Sequence, residues 1–163
     1  MKKMLLVLLS LVVISGAMAQ LTAKAKCPDM VVDMFDGKVN GLKANATNFE
    51  IKAKFPCSTS SEDEGGTGKC GANVFFKDRD IYFYTQRNYI QIGPKFKGKL
   101  SVPVMGAKRG SMFQWFGNPK IKDDKWDAYQ TSYGTLVLHY DAAGKVNLIQ
   151  FSTKSTDTLS LCE

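Results

Sequence analysis

The chain has a single histidine, His139. None of its four cysteines forms a Cys-x-x-Cys pair, so the usual nitrogen and sulfur ligand sets for zinc are excluded. There is no Gly-x-Ser-x-Gly elbow and no Ser-x-x-Lys box, which removes the common signatures of an activated serine. No apolar run reaches the ~20 residues that a membrane-spanning helix needs. The expectation is therefore a protein without a cofactor, a metal or a catalytic residue.

What is present begins at the first residues. Lys2 and Lys3 precede an apolar stretch from Leu5 to Ile14, and Ala17-Met18-Ala19 places small residues at the two positions a signal peptidase reads. Residues 1–19 are predicted to be a secretory signal peptide, cut to leave Gln20 first. No cysteine follows that cut directly, so no lipid anchor is expected. The mature chain would be a single secreted or periplasmic domain, residues 20–163. Losing Lys2 and Lys3 lowers the formal charge from +7 to about +5. The excess is spread along the chain and reads as a solvated basic surface, with no nucleic acid expected as partner.

In an exported chain, four cysteines predict two disulfides. Three pairings are open. The preferred one joins Cys57 to Cys70 and Cys27 to Cys162. The first bond would close the loop Ser58 to Lys69, rich in Ser, Glu and Gly, and the second would tie the chain ends.

Hydrophobic periodicity supplies the elements. Met30 to Phe35 reads as a strand, Asp36-Gly37 as a turn, and Lys38 to Leu42 as a second short strand. Asn45 to Phe55 reads as a helix, with Thr47 and Glu50 in capping-box spacing and Pro56 as its stop. A flexible acidic loop, Ser58 to Gly71, follows. Asn73 to Phe76, Ile81 to Thr85 and Asn88 to Ile92 then form an antiparallel meander. Lys108 to Phe116 predicts a second helix, closed by Gly117-Asn118-Pro119, with Phe113, Trp115 and Phe116 packing on a sheet. Tyr129 to Tyr133, Leu136 to Tyr140 and Val146 to Phe151 predict three more strands. Leu159 to Cys162 is either an edge strand or a strap. Helix, stop, polar loop and three strands thus occur twice, in halves 28–99 and 100–163. The predicted fold class is α+β: two tandem helix-then-antiparallel-meander units in one disulfide-containing domain.

The short helix ending in Gly-x-Pro and the segment Leu136-Val137-Leu138-His139-Tyr140-Asp141 to Gly144-Lys145-Val146 resemble the outer-membrane small protein A and beta-lactamase-inhibitor-protein-like group. The resemblance covers about 45 residues of the second half, and the first half by analogy. It implies paired units whose concave sheet binds another protein. The assembly lipoproteins of that group carry a lipobox cysteine that this chain lacks, and the inhibitor's binding loops have no counterpart here.

Candidate chemistry is thin. His139 falls inside a predicted strand. Glu62, Asp63 and Glu64 cluster in a solvated loop, and Asp123, Asp124 and Asp127 in a polar link, without the apolar surroundings that make a general acid. Asn45-Ala46-Thr47 matches a glycosylation sequon, but the neighbouring Thr47-x-x-Glu50 spacing favours a helix cap. The aromatics carry more. Tyr82, Tyr84, Tyr129 and Tyr133 are predicted to form a sheet surface that binds another envelope or secreted protein, with a glycan as a second partner class. The expected function is a non-enzymatic binding protein, inhibitor-like or a scaffold. A small secreted hydrolase and an envelope-assembly accessory protein are the alternatives. For the hydrolase, the discriminating feature would be a pocket joining Asp78 or Asp80 to the second half.

Overall fold

A computed structural model describes residues 26–62 and 70–162. The predicted leader, 1–19, lies outside the described residues. The chain is mixed α+β, mostly sheet, with two short helices and two disulfides.

Two sheets organise it. The smaller runs β3–β2–β1–β8, built from β1 (Val31–Asp33), β2 (Lys38–Val39), β3 (Leu42–Lys43) and β8 (Lys99–Leu100). The β1–β8 pair is parallel. In the larger sheet β4 (Ser60–Glu62), β5 (Asn73–Phe76), β6 (Ile81–Tyr84) and β7 (Tyr89–Ile92) lie side by side in chain order. The set β12 (Val146–Ser152), β11 (Gly134–Tyr140), β10 (Trp126–Thr131) and β9 (Ile121–Lys122) continues it in reverse order. All its neighbours are antiparallel, and β7 meets β12 at the centre.

Period-2 alternation divides this sheet into two faces. Val74, Phe83, Ile90, Phe151 and Leu136 follow one another across the strands in register. All are buried, and with Phe76, Ile81, Ile92, Ile149 and Leu138 they form the inner face. Against it pack Met30, Val32 and Val39 of the small sheet region, Ile51 and Phe55, and Val102, Val104 and Met112 of the connecting segment.

The first helix, α1 (Asn48–Lys54), starts as its sequence dictates. The Thr47 hydroxyl accepts from the Glu50 backbone N–H, and the Glu50 carboxylate accepts from the Thr47 N–H at 2.8 Å. Because Thr47 is the cap, the helix is shorter than the predicted Asn45 to Phe55. The Thr47 N–H and the Thr47 hydroxyl, both donating to that carboxylate, hold it below its ordinary pKa. Phe55 then turns inward, its ring 5.6 Å from Phe76 and 6.3 Å from Phe83.

The second helix differs from expectation. A 3-10 turn at Arg109–Met112 leads into α2 (Phe113–Phe116), only four residues long. One turn cannot carry a stripe of three inward aromatic rings. Met112 is buried in their place, Phe113 is 64% exposed and Trp115 37%. Phe116 alone leans inward, 6.1 Å from the Phe35 ring and 5.5 Å from Tyr129.

The disulfides also differ: Cys27 bonds Cys57, and Cys70 bonds Cys162, with Cα separations of 5.3 and 5.5 Å. The expected Cys57–Cys70 and Cys27–Cys162 bonds are absent because the predicted loop begins with a strand. Ser60↔Phe75 and Glu62↔Asn73 pairing makes a ladder whose ends are well separated. Cys57 lies at the Lys77 end, where Arg79 also holds the Cys27 carbonyl. Cys70 lies at the other end, near Asn73.

Residues 153–162 form a strap rather than a strand. They cross the outer face of the large sheet. Thr135 donates to the Lys154 carbonyl at 2.8 Å, and Thr156 donates to the Gln130 side chain through its N–H and its hydroxyl. Lys120 pairs with Asp157 at 2.8 Å, and the Cys162 N–H donates to the Tyr89 hydroxyl at 3.1 Å.

Candidate binding face of the large sheet

The outer face is built from the alternate residues of the same strands. Phe75, Tyr82, Gln91, Gln150, Val137, Ala128 and Ile121 form one row across all strands from β5 to β9. At its β5–β6 end sits an aromatic cluster. Phe75 lies 5.3 Å from both Tyr82 and Tyr84, and Tyr84 stacks on Tyr89 at 4.5 Å. Phe75, Tyr82 and Tyr84 are half-exposed, while Tyr89 is buried beneath the strap. Partial burial raises the Tyr84 phenol, and burial with the nearby Asp80 charge raises Tyr82.

The middle of the row is polar and internally paired. His139 and Gln150 are 2.8 Å apart through Nε2 and Oε1, and the Gln150 amide donates to Gln91 at 3.0 Å. The Gln150 atom that faces the ring is its amide oxygen, which only accepts, so His139 Nε2 is the donor of this pair.

At the other end the strap and the sheet flank a cleft of about 210 Å³ that is open to solvent on one side. Val137 and Ala128 belong to its sheet wall, Trp126 and Ile121 to the β9–β10 side, and Leu159 and Leu161 to the strap. His139 and Thr156 are the polar side chains on its wall.

Tyr82 and Tyr84 lie together on the outer face of the sheet, both half-buried. Tyr129 and Tyr133 do not join them. β10 runs from Trp126 rather than from Tyr129, and the register Tyr129↔Leu136 turns Tyr129 inward, leaving it 3% exposed. Tyr133 sits in the β10–β11 turn and folds over the core. Its hydroxyl donates to the Met34 carbonyl at 3.3 Å, and its ring lies 6.4 Å from Phe151. It also presses on Gly37, whose φ of +61° and lack of a side chain admit the ring; a Cβ there would overlap it.

One cluster escaped sequence reading. The buried Asp127 carboxylate accepts from Arg109 Nε at 3.0 Å and from the Tyr140 hydroxyl at 2.8 Å, and the Arg109 guanidinium lies 4.9 Å over the Tyr140 ring. Arg109 also donates to the Asp123 and Asp124 carbonyls. This ties the 3-10 turn to the end of the sheet. Once β10 is started at Trp126 and Tyr129 is turned inward, alternation puts Asp127 on the same inner face. His139 is on the opposite face, so the two form no dyad.

Among the other candidate acids, Glu62 receives the Asn73 amide at 3.2 Å, and Asp63 and Glu64 lie outside the described residues. Asp78 and Asp80 line a cleft of about 510 Å³ with Lys77, Tyr82, Pro94, Lys95 and Lys97. The Asp80 carboxylate accepts from the Lys95 N–H at 2.8 Å, and the lining comes wholly from the first half.

Burial raises the phenols of Tyr89, Tyr133 and Tyr140, the last with help from Asp127. Below pH 10 both folded and unfolded chains keep these protons. Above it the unfolded chain loses them while the folded chain holds them, so stability falls as pH rises. For each ring the expected slope averages about 0.7 kcal/mol per pH unit between pH 9 and 11 and approaches about 1.4 above that. Urea titrations between pH 9 and 11 should show the decline, and Tyr140→Phe should flatten it by one ring's share. An unchanged slope in that variant would mean Tyr140 ionises as freely folded as unfolded.

No family model, curated protein or solved structure matches this chain.

Proposed function

We propose that this chain is an exported, non-enzymatic binding protein that grips another envelope or secreted protein with the outer face of its eight-stranded sheet. The observation that carries the reading is the half-exposed cluster of Phe75, Tyr82 and Tyr84. Rigid aromatic rings give large contact area at low entropy cost, which is why they dominate binding hot spots. Two disulfides, with no helix among the described residues long and apolar enough to cross a membrane, are compatible with a secreted or periplasmic setting.

The reading includes a tandem architecture. α1 precedes β4–β7, α2 precedes β9–β12, and the last strands of the two sets, β7 and β12, meet. That order supports two helix-then-meander units side by side, as the resemblance to the beta-lactamase-inhibitor-protein-like group implies.

The test compares the oxidised wild-type protein with Tyr82→Ala as bait against the exported proteins of its source. Truncating a hot-spot ring costs ~2 kcal/mol or more, roughly a 30-fold loss of affinity. The ring is half-exposed, so the melting temperature should hardly move. Equal capture by both baits would reject this face as the binding surface.

A further inference from the structure

We propose that the cavity between the strap and β9–β11 is a second binding site, for a small neutral ring compound bearing one hydroxyl group. It lies at the opposite end of the face from the tyrosine cluster and goes beyond the protein-binding reading.

Size comes first. An apolar protein cavity of about 150 Å³ accepts benzene. The cleft here, about 210 Å³ and open on one side, leaves room for a substituted ring with one edge in water.

The walls set the chemistry. Trp126, Ile121, Val137, Ala128, Leu159 and Leu161 are apolar, and no charged side chain lines the space. A charged ligand would lose hydration on the side that faces these walls and find no ion-pair partner there. The polar exception is directional. Gln150 Oε1 accepts from Nε2 of His139, which fixes the imidazole; in the neutral ring this leaves Nδ1 as an acceptor with no protein donor among the described residues. A single hydroxyl on the ligand matches that acceptor. Thr156 already donates its hydroxyl proton to Gln130, so its oxygen too is left to accept.

Access follows from the construction. One wall is sheet, and the other is a strap without secondary structure. Ile121 at the rim is 38% exposed, so the cavity opens beside the edge strand β9.

The probes are p-cresol and toluene, added to the oxidised full chain. The chain has two tryptophans, Trp115 and Trp126. Their indole N–H resonances separate the cavity from the rest of the surface. Expected is a saturable shift of the Trp126 resonance by p-cresol, with Trp115 unmoved. Toluene should bind roughly 3- to 10-fold more weakly, the worth of one hydrogen bond. Leu161→Trp should fill the cavity and abolish the p-cresol shift. Leu159→Trp fills it from the neighbouring position should Leu161→Trp disturb the strap. No saturable shift at millimolar p-cresol overturns the proposal. So does equal binding of the two probes, or an unchanged p-cresol shift in both filled variants. None of these measurements involves a protein partner, so the tyrosine surface is tested separately by its own variant.

Discussion

Asp127→Ala should destabilise the protein by ~3 kcal/mol, the lower end of the cost of breaking a buried ion pair. The lower end applies because a quarter of the Arg109 side chain still reaches solvent. The substitution removes the acceptor shared by Arg109 and Tyr140 and leaves a guanidinium above an aromatic ring with no carboxylate to face. Asp127→Asn keeps the shape and one acceptor oxygen, so its loss should be smaller. Combining Asp127→Ala with Arg109→Met removes the stranded charge and should recover part of the deficit. Urea unfolding of the three variants reads the result. A loss below about 1 kcal/mol for Asp127→Ala would place this pair with ordinary surface salt bridges.

Removing the Cys70–Cys162 bond should cost more, roughly 4–5 kcal/mol, because it closes the longer loop. Its cysteines are 92 residues apart in sequence, against 30 for Cys27–Cys57, whose loss should cost roughly 3–4 kcal/mol. The double variant Cys70→Ser, Cys162→Ser tests it against Cys27→Ser, Cys57→Ser by denaturant titration. The two losses are expected in that order; the reverse order would show that loop length does not set them here. The same variant has a local consequence. The strap would keep the Lys120–Asp157 pair and the Gln130–Thr156 hydrogen bonds at its start but lose its far anchor. Leu159 and Leu161 lie between these fastenings, so the cavity wall they form should loosen. Binding of p-cresol should fall, while capture through Tyr82 should persist.

Much of this architecture is legible in the residues. Thr47 and Glu50 announce the start of α1 because both halves of a capping box are local. Ile81-Tyr82-Phe83-Tyr84 announces its strand and its two faces because alternation is local too. What is not legible depends on partners far away in sequence. Ser60 to Glu62 carry no strand signal of their own, and only β5 makes them a strand. That hidden ladder set Cys57 and Cys70 apart and overturned the preferred disulfides. Tyr129 read as a surface residue because β10 was started three residues late, among residues taken for a polar link. Met112, not its aromatic neighbours, fills the core because the helix is one turn long. Asp127 looked like one of three solvated acids, and its partner Arg109 belongs to a different element. The cavity was invisible for the same reason: its far wall is a tail whose position is set by Cys70, Lys120 and Gln130.

The meeting of β7 and β12 bears on how the chain reaches its fold. β4–β7 and β9–β12 are sets of local hairpins that can form early, whereas the central seam joins residues such as Ile92 and Ile149. Long-range pairings of this kind close slowly. Until the seam closes, each half presents an open strand edge that fits its counterpart on any copy of the chain. Two chains that exchange halves would satisfy the same register, giving a domain-swapped dimer. Cys70 belongs to one half and Cys162 to the other end of the chain. Oxidation within one molecule traps the monomer; oxidation between exchanged halves would make the swapped dimer permanent. Refolding yield should therefore depend on protein concentration at the moment the thiols are oxidised.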